Sequence, residues 1–420
     1  MDSLKEFITI KSNPHNPLPM EALNIVIVGQ QPWDTPIGSN CKDIALELSK
    51  RHRVLYVNSP LDRITSIREK STPEVATRLA VIGGGYDGLV ELGPNLYNLY
   101  PDKLVESINF LPSGAGLLFD FINRRNNFLF ARSIKKALKR LGFDQYILFN
   151  DNEIIKTYYL DKLLKPRLSI YYSRDYILAT PYWRKHGRRL EPKVIAKYDV
   201  CVANSTYLMD YCAQYNPNSY YIGQGCDLSH FHPNLTRTKP EDLANITGPL
   251  IGYVGALQSI RLDLAILRYI ATARPDWSIV LVGPEDEVFQ QSDLHQLENV
   301  HFLGLKPMDQ LPQYIAYFDV CINPQLLNEM TIGNYPRKVD EYLAMGKPVV
   351  ATRTRAMDVF EETTYLAESP EEYVTLIQKA MDEDQPALQQ ARHAFASKHT
   401  WEASVRQLEE VIDKHLPTRL

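Results

Sequence analysis

One pattern occurs twice along this chain. Short apolar runs closed by Gly or Asn alternate with stretches of helical spacing. The first run is Ala22–Gly29 (ALNIVIVG), followed by a Pro/Gly-containing loop, Gln30–Ser39. Helical spacing then covers Asn40–Arg51, and a second run covers Arg53–Asn58. A run apolar on both faces predicts a parallel strand covered on both sides. Strand, helix and parallel strand in sequence require a right-handed crossover. The alternation continues through Gln145–Asn150, Leu168–Tyr172, Val200–Asn204 and Tyr220–Gly223. Pro233–Pro249 is polar with Pro at both ends and reads as a linker. The pattern then restarts with Pro249–Gly255, Trp277–Gly283, Val300–Leu303, Val320–Asn323 and Pro348–Thr352. Helical stretches at Asp263–Ala273 and Lys338–Met345 lie between them, the second closed by Gly346. The fold class expected is α/β, with two doubly wound Rossmann-like domains facing across a cleft.

Composition agrees and narrows the options. At 420 residues one core is too few. With 46 Lys+Arg against 50 Asp+Glu the chain is not a globally basic nucleic-acid binder. Its 25 Tyr, 14 Phe and 4 Trp argue against disorder. Five scattered cysteines, with no metal-ligand spacing, read as reduced thiols. Met1–Pro19 is polar and unlike a signal peptide, and no run reaches the length of a membrane span. A cytoplasmic protein is expected.

The near-neutral total hides an asymmetry. Residues 101–200 carry 19 Lys/Arg and 10 Asp/Glu. Within them, residues 119–141 place seven Lys/Arg and one Asp among four Phe. Such a segment fits an anionic membrane surface, here the inner face of the cell membrane. It also fits a nucleic-acid site, or an ordinary amphipathic helix with its lysines in water.

The stretch Tyr335–Thr352, YPRKVDEYLAMGKPVVAT, resembles a segment of the GT-B glycosyltransferases, in particular the large retaining group 1 families. There a Pro-x-Lys precedes a Glu-Tyr-Leu-Ala helix and Gly-Lys-Pro-Val-Val. GYVGAL at 252–257, RPDWSIVLVGP at 274–284 and FLGLKPMDQLPQYIAYFDVCINP at 302–324 have family counterparts in the same order. GQQPWDTPIGSN, IYYSRDYI and KHTWEASVRQLEEVI are looser matches. The resemblance implies an acceptor-binding domain over 1–235, a linker over 236–248 and a nucleotide-sugar-binding domain over 249–398. A last helix over 399–420 would return to the first domain.

It also implies a donor site. A nucleoside diphosphate sugar needs cations and helix N-termini around its diphosphate. Lys338, at the start of a helix, and Arg261, after the strand ending at Gly255, are the candidate cations. They would neutralise charge on the leaving nucleotide, which places Lys338 among the catalytic candidates. Glu341, on the same side of that helix, would bind the ribose hydroxyls, and the backbone at Leu305 the base. An alternative for Glu341 is a plain ion pair with Lys338. The retaining families often carry a second Glu eight residues earlier, where this chain has Gly333. Glu329 is the nearest carboxylate upstream and could reach the sugar, with Met330 and Thr331 offering backbone N–H groups. A solvated loop charge is the other reading of Glu329.

On the acceptor side, Gly38 and Ser39 lead from the first loop into a helix. They suit an anion, although Ser39 equally suits a plain N-cap. Asp175 and Asp151 follow strand ends, where α/β sheets place ligands. Asp175 is the first choice for an acceptor-binding or base-like carboxylate. No metal and no cofactor beyond a UDP- or GDP-linked sugar are expected. The function implied is transfer of a hexose-type sugar to a saccharide or lipid-linked acceptor, in cell-surface polysaccharide synthesis. A sugar-nucleotide epimerase of the same fold and an inactive glycosyltransferase-like binding protein are the alternatives. A dinucleotide oxidoreductase is disfavoured, since no G-x-G-x-x-G follows a strand.

Overall fold

The computed structural model describes residues 22–35, 38–233 and 238–416. Two sheets form. The first contains β1 (Asn24–Val28), β2 (Arg53–Val57), β3 (Leu89–Gly93), β4 (Leu96–Leu99), β5 (Ile147–Asp151), β6 (Leu168–Ser173), β7 (Val200–Ala203) and β8 (Ser219–Tyr221). Their spatial order is β3-β4-β2-β1-β5-β6-β7-β8. All neighbours are parallel except β3 and β4. Ile25 and Ile27 enter one core layer, while Val26 and Val28 enter the opposite one. That is the two-sided burial a continuous apolar strand demands.

The second sheet contains β9 (Leu250–Val254), β10 (Ser278–Val282), β11 (Val300–Gly304), β12 (Val320–Asn323), β13 (Val349–Thr352) and β14 (Tyr365–Ala367). Its order, β11-β10-β9-β12-β13-β14, is parallel throughout and reverses at β9/β12. A ligand crevice opens at such a reversal, outside the carboxyl ends of the strands. Asp263, Ser369 and Thr400 cap helices with their side chains, so these helix starts are fixed locally.

The chain passes between the sheets twice, and the two passes pair with each other through a bridge between Cys226 and Thr400. Part of the expected linker, 236–237, lies outside the described residues. Its remainder packs on the second sheet's side: Asp242 meets Lys306 at 2.7 Å, and Ser278 Oγ donates to Thr247 O. After the second pass, the helix Trp401–His415 lies against the helix Asn40–Ser49. Val405, Leu408 and Ile412 join the first sheet's core, and Glu409 receives His52 at 2.9 Å and Arg51 at 2.8 Å. Gly225 makes this docking possible, because a Cβ there would fall 2.2 Å from the Trp401 ring.

Candidate functional site

The helix Arg337–Ala344 sets the site. Two contacts hold its inner face. Tyr342 Oη accepts the Val254 N–H at 2.8 Å, pinning the helix to the end of β9. Asp340, fully buried, accepts from Tyr335 Oη at 2.9 Å and lies 2.6 Å from His399 Nδ1. Lys338 and Glu341 are left facing a cavity of about 410 Å³.

The cavity brings together Gly255, Arg261, Thr331, Lys338 and Glu341 of the expected donor residues. Gly255 has φ +138, and a Cβ there would meet Lys338 Nζ at 2.8 Å. Glycine therefore keeps the backbone open beside the ammonium. Lys338 donates a hydrogen bond to Tyr253 Oη and lies 3.8 Å from the centroid of that ring. Burial pushes its pKa down to about 7; Glu341 opposes that shift and Arg261 adds to it. Burial also raises the Glu341 carboxyl, against the pull of Arg337 and Lys338. Arg337 lines the same cavity. Among the described residues no carboxylate forms an ion pair with Lys338, Arg261 or Arg337. The Lys338–Glu341 ion pair considered from sequence is thus not formed. Three cations and the Glu341 carboxylate line one cavity, with none of the three cations in an ion pair among the described residues.

The other donor candidates do not join it as expected. Leu305 projects into solvent, 75% exposed, after Gly304 at φ +68, and does not line the cavity. Glu329 leaves the donor side: its carboxylate pairs with Arg184 of the first sheet's domain at 2.6 Å. The Met330 and Thr331 N–H groups both donate to Asn328 Oδ1, at 2.8 and 3.1 Å. An Asn turn has claimed them, so they are not offered to a ligand. At Gly333 a Cβ would fall 2.7 Å from the Tyr207 ring, and the Gly333 carbonyl accepts from Ser205 Oγ at 2.8 Å. The position where the retaining families carry a Glu is here packed against the other domain.

On the facing domain, Asp151 is fully buried. It accepts from Arg174 Nε at 2.7 Å and from the Gln30 N–H at 3.1 Å. This corrects the expectation that Asp151 is open to an acceptor; it is the internal counter-ion of Arg174. Asp175 does face solvent, with Arg174 Nη1 at 2.5 Å. Ser39 caps the helix Asn40–Ser49 by accepting the Lys42 N–H at 3.2 Å, and Gly38 beside it is exposed with open space around it. Among the described residues no three His, Cys, Asp or Glu side chains are grouped to hold a metal ion.

A second cavity, of about 830 Å³, lies at the carboxyl end of the first sheet. Its walls include the paired Asp34 and Arg78, buried Glu153, Lys156, Tyr182 and Trp183. None of Gly38, Ser39, Asp151 or Asp175 lines it. Sequence reasoning missed this cavity because its walls come from loops far apart in the chain. It also missed Asn323, at the end of β12. That side chain is 4% exposed and lines the 410 Å³ cavity, and its Nδ2 has no hydrogen-bond partner among the described residues. The sequence signal was present, since Asn323 falls two residues after Cys321 on the face that packs toward Val339 and Tyr342.

Comparison with known proteins places this architecture. Residues 248–383 match the family described as glycosyl transferases group 1. The putative teichuronic acid biosynthesis glycosyltransferase TuaH of Bacillus subtilis (strain 168) is 24% identical over 254 residues. That match covers 57% of this chain and 63% of the relative, so it spans less than two thirds of the relative's length. Sucrose-phosphate synthase from Thermosynechococcus elongatus superposes with a TM-score of 0.62 at 16% identity, over 93% of this chain and 98% of that one. HepE from Anabaena, in complex with UDP and glucose, gives 0.58 at 17% identity, over 93% and 100%. The fold is GT-B, and residues 248–383 are the segment that matches the group 1 glycosyltransferases.

Proposed function

We propose that this chain, with its group 1 glycosyltransferase domain at 248–383, transfers a hexose-type sugar from a nucleotide sugar to a saccharide or lipid-linked acceptor. One observation carries the reading. Lys338, Arg261 and Arg337 line one cavity at the carboxyl ends of β9 and β12, and among the described residues no carboxylate forms an ion pair with them. A diphosphate supplies the charge that this cavity lacks. Solved proteins of this fold include HepE from Anabaena in complex with UDP-glucose, which supports a UDP-linked donor over a GDP-linked one. The relative named for teichuronic acid synthesis supports a cell-surface polysaccharide as the product.

In this reading residues 249–398 hold the donor and residues 1–235 the acceptor, across the linker 236–248. Glu341 takes the ribose hydroxyls, and the backbone near Gly255 approaches the phosphates. The bond from the anomeric carbon to the diphosphate oxygen breaks, and a bond from that carbon to an acceptor hydroxyl forms. Lys338 and Arg261 stabilise the negative charge arriving on the leaving diphosphate. Asp175, the solvent-facing carboxylate of the facing domain, takes the proton or orients the hydroxyl of an acceptor that extends beyond the 830 Å³ cavity, which Asp175 does not line. The 830 Å³ cavity, with Trp183 and Tyr182 beside Glu153 and Arg78, suits a saccharide by aromatic stacking and charge-assisted hydrogen bonding. No helix among the described residues is long and apolar enough to cross a membrane. The protein would work in the cytoplasm, where its five free cysteines stay reduced.

A panel of UDP-, GDP- and dTDP-sugars tests the reading through thermal stabilisation and release of free nucleotide. Stabilisation by one class, with nucleotide release accelerated by a saccharide acceptor, is the expected result. Stabilisation by none would overturn it. Conversion of the nucleotide sugar to its epimer, with no net release of free nucleotide, would favour an epimerase.

A further inference from the structure

The helix Gly116–Leu141 leaves one long face uncovered. Leu117, Phe121, Arg124, Phe128, Arg132, Lys135 and Lys139 follow each other at helical spacing along it, all exposed. Leu117 is 91% and Phe121 72% exposed, and Phe110, in the preceding turn, 65%. Soluble surfaces rarely show so many large apolar side chains side by side. The cations divide into two sets. Lys136 and Arg140 are spent on Asp102 and Asp87, and Arg125 approaches Glu106 at 3.8 Å. Arg124, Arg132, Lys135 and Lys139, which share the face with the Phe and Leu residues, form no ion pair among the described residues.

We propose that this face docks on an anionic lipid bilayer. Leu117, Phe121 and Phe110 enter the headgroup region, and Arg124, Arg132, Lys135 and Lys139 lie on the phosphates. The charge pattern selects this occupant. Exposed Leu117, Phe121 and Phe128 share the face with the unpaired Arg124, Arg132, Lys135 and Lys139, so apolar insertion and attraction to anionic headgroups act at one surface. A protein interface depletes lysine and other charges at its core, and single-stranded nucleic acid stacks on flat aromatic platforms.

The position of the face adds a consequence, which rests on the transferase reading. Phe110 belongs both to this surface and to the wall of the 830 Å³ cavity, and Tyr182, half exposed, lies at the same rim. Asn109 Nδ2 donates to Tyr182 O at 3.0 Å, so rim and turn are held together. Docking therefore brings the acceptor cavity to the membrane, and its acceptor is an amphiphile: a saccharide headgroup in the cavity with its lipid in the bilayer.

Flotation of the full chain with vesicles tests the docking. Phosphatidylcholine vesicles are compared with vesicles containing phosphatidylglycerol, at low and high salt. Binding is expected only with the anionic lipid and is weakened by salt. Triple reversal, Arg132→Glu with Lys135→Glu and Lys139→Glu, should weaken it at least about tenfold. Leu117→Ser with Phe121→Ser should weaken it at high salt as well, where charge is screened. Both variants should keep the parent's melting temperature and its stabilisation by UDP-sugar, since none of these residues touches the donor-side cavity. Unchanged flotation of the variants, no flotation of the parent, dimerisation through this face or displacement by RNA would each overturn the proposal. If UDP-sugar stabilises the protein but no vesicle binds it, the docking fails and the transferase reading stands. If vesicles bind but no nucleotide sugar does, the docking stands and only the amphiphile acceptor falls with the transferase reading.

Discussion

The ammonium of Lys338 sits over the ring of Tyr253, 3.8 Å from its centroid, and donates to its hydroxyl. The partner is a dipole and a quadrupole, neither of which carries a full negative charge. The lysine is therefore desolvated without being neutralised, which leaves it primed for an anion. Replacing Lys338 by Ala should lower turnover at least about 100-fold, in line with loss of one preorganised charge stabiliser. The melting temperature should hold or rise, because a desolvated cation is removed. Steady-state kinetics beside a melting curve checks this.

Titration gives a second outcome. The free Lys338 has its pKa pushed down to about 7, mainly by burial. A bound diphosphate favours the charged form and raises that value. Below about 7 the ammonium is charged before the donor arrives; above it, binding must take up a proton. Affinity for UDP-glucose should thus fall as pH rises above 7, approaching tenfold per unit until the raised pKa is passed. Calorimetry in buffers of different ionisation enthalpy would detect the proton uptake. Lys338→Arg, always charged, should flatten the profile.

Asn323 buries an amide donor that nothing in the described residues accepts. Such a group costs about 1–3 kcal/mol. Asn323→Leu should therefore raise stability by about 1 kcal/mol while weakening nucleotide-sugar binding by about tenfold. Denaturant unfolding and donor titration on the same variant separate the two effects. Higher stability with unchanged affinity would make Asn323 a packing residue only.

Gly333 lies against Tyr207, and its missing side chain is a matter of space. Gly333→Glu, restoring the carboxylate of the retaining families, should reduce stability by about 1–3 kcal/mol without raising turnover. Adding Tyr207→Ala should recover much of the lost stability. A gain of activity in the single variant would show that the two domains separate here during turnover.

Legibility from sequence followed locality. Strands buried on both faces, such as β1, β2, β9 and β10, stood out as continuous apolar runs. The β3–β4 hairpin did not, because Leu89–Gly93 is only half buried and its turn depends on Asn95 at φ 62. Lys338 and Glu341 were legible because one helix fixes both. Asp151 misled because its neutralising partner, Arg174, arrives from the next strand. Glu329 misled for a similar reason, its partner Arg184 lying 145 residues away. Met330 and Thr331 misled at short range, since Asn328 competes for the same N–H groups. The acceptor-side cavity was invisible, being assembled from loops that no single window contains.

The helix Trp401–His415 has a consequence for the order in which the protein can mature. Val405, Leu408, Val411 and Ile412 complete a core whose other buried members, from Ile25 to Ile222, are synthesised long before them. A domain normally folds as its own stretch leaves the ribosome. Here the first domain must wait, with Ile44 and Leu48 uncovered, while the whole second domain is made. The second domain, closed in sequence, can finish first. A chain stopped before residue 401 would carry a closed second domain and an unsealed first one, and would be a target for chaperones.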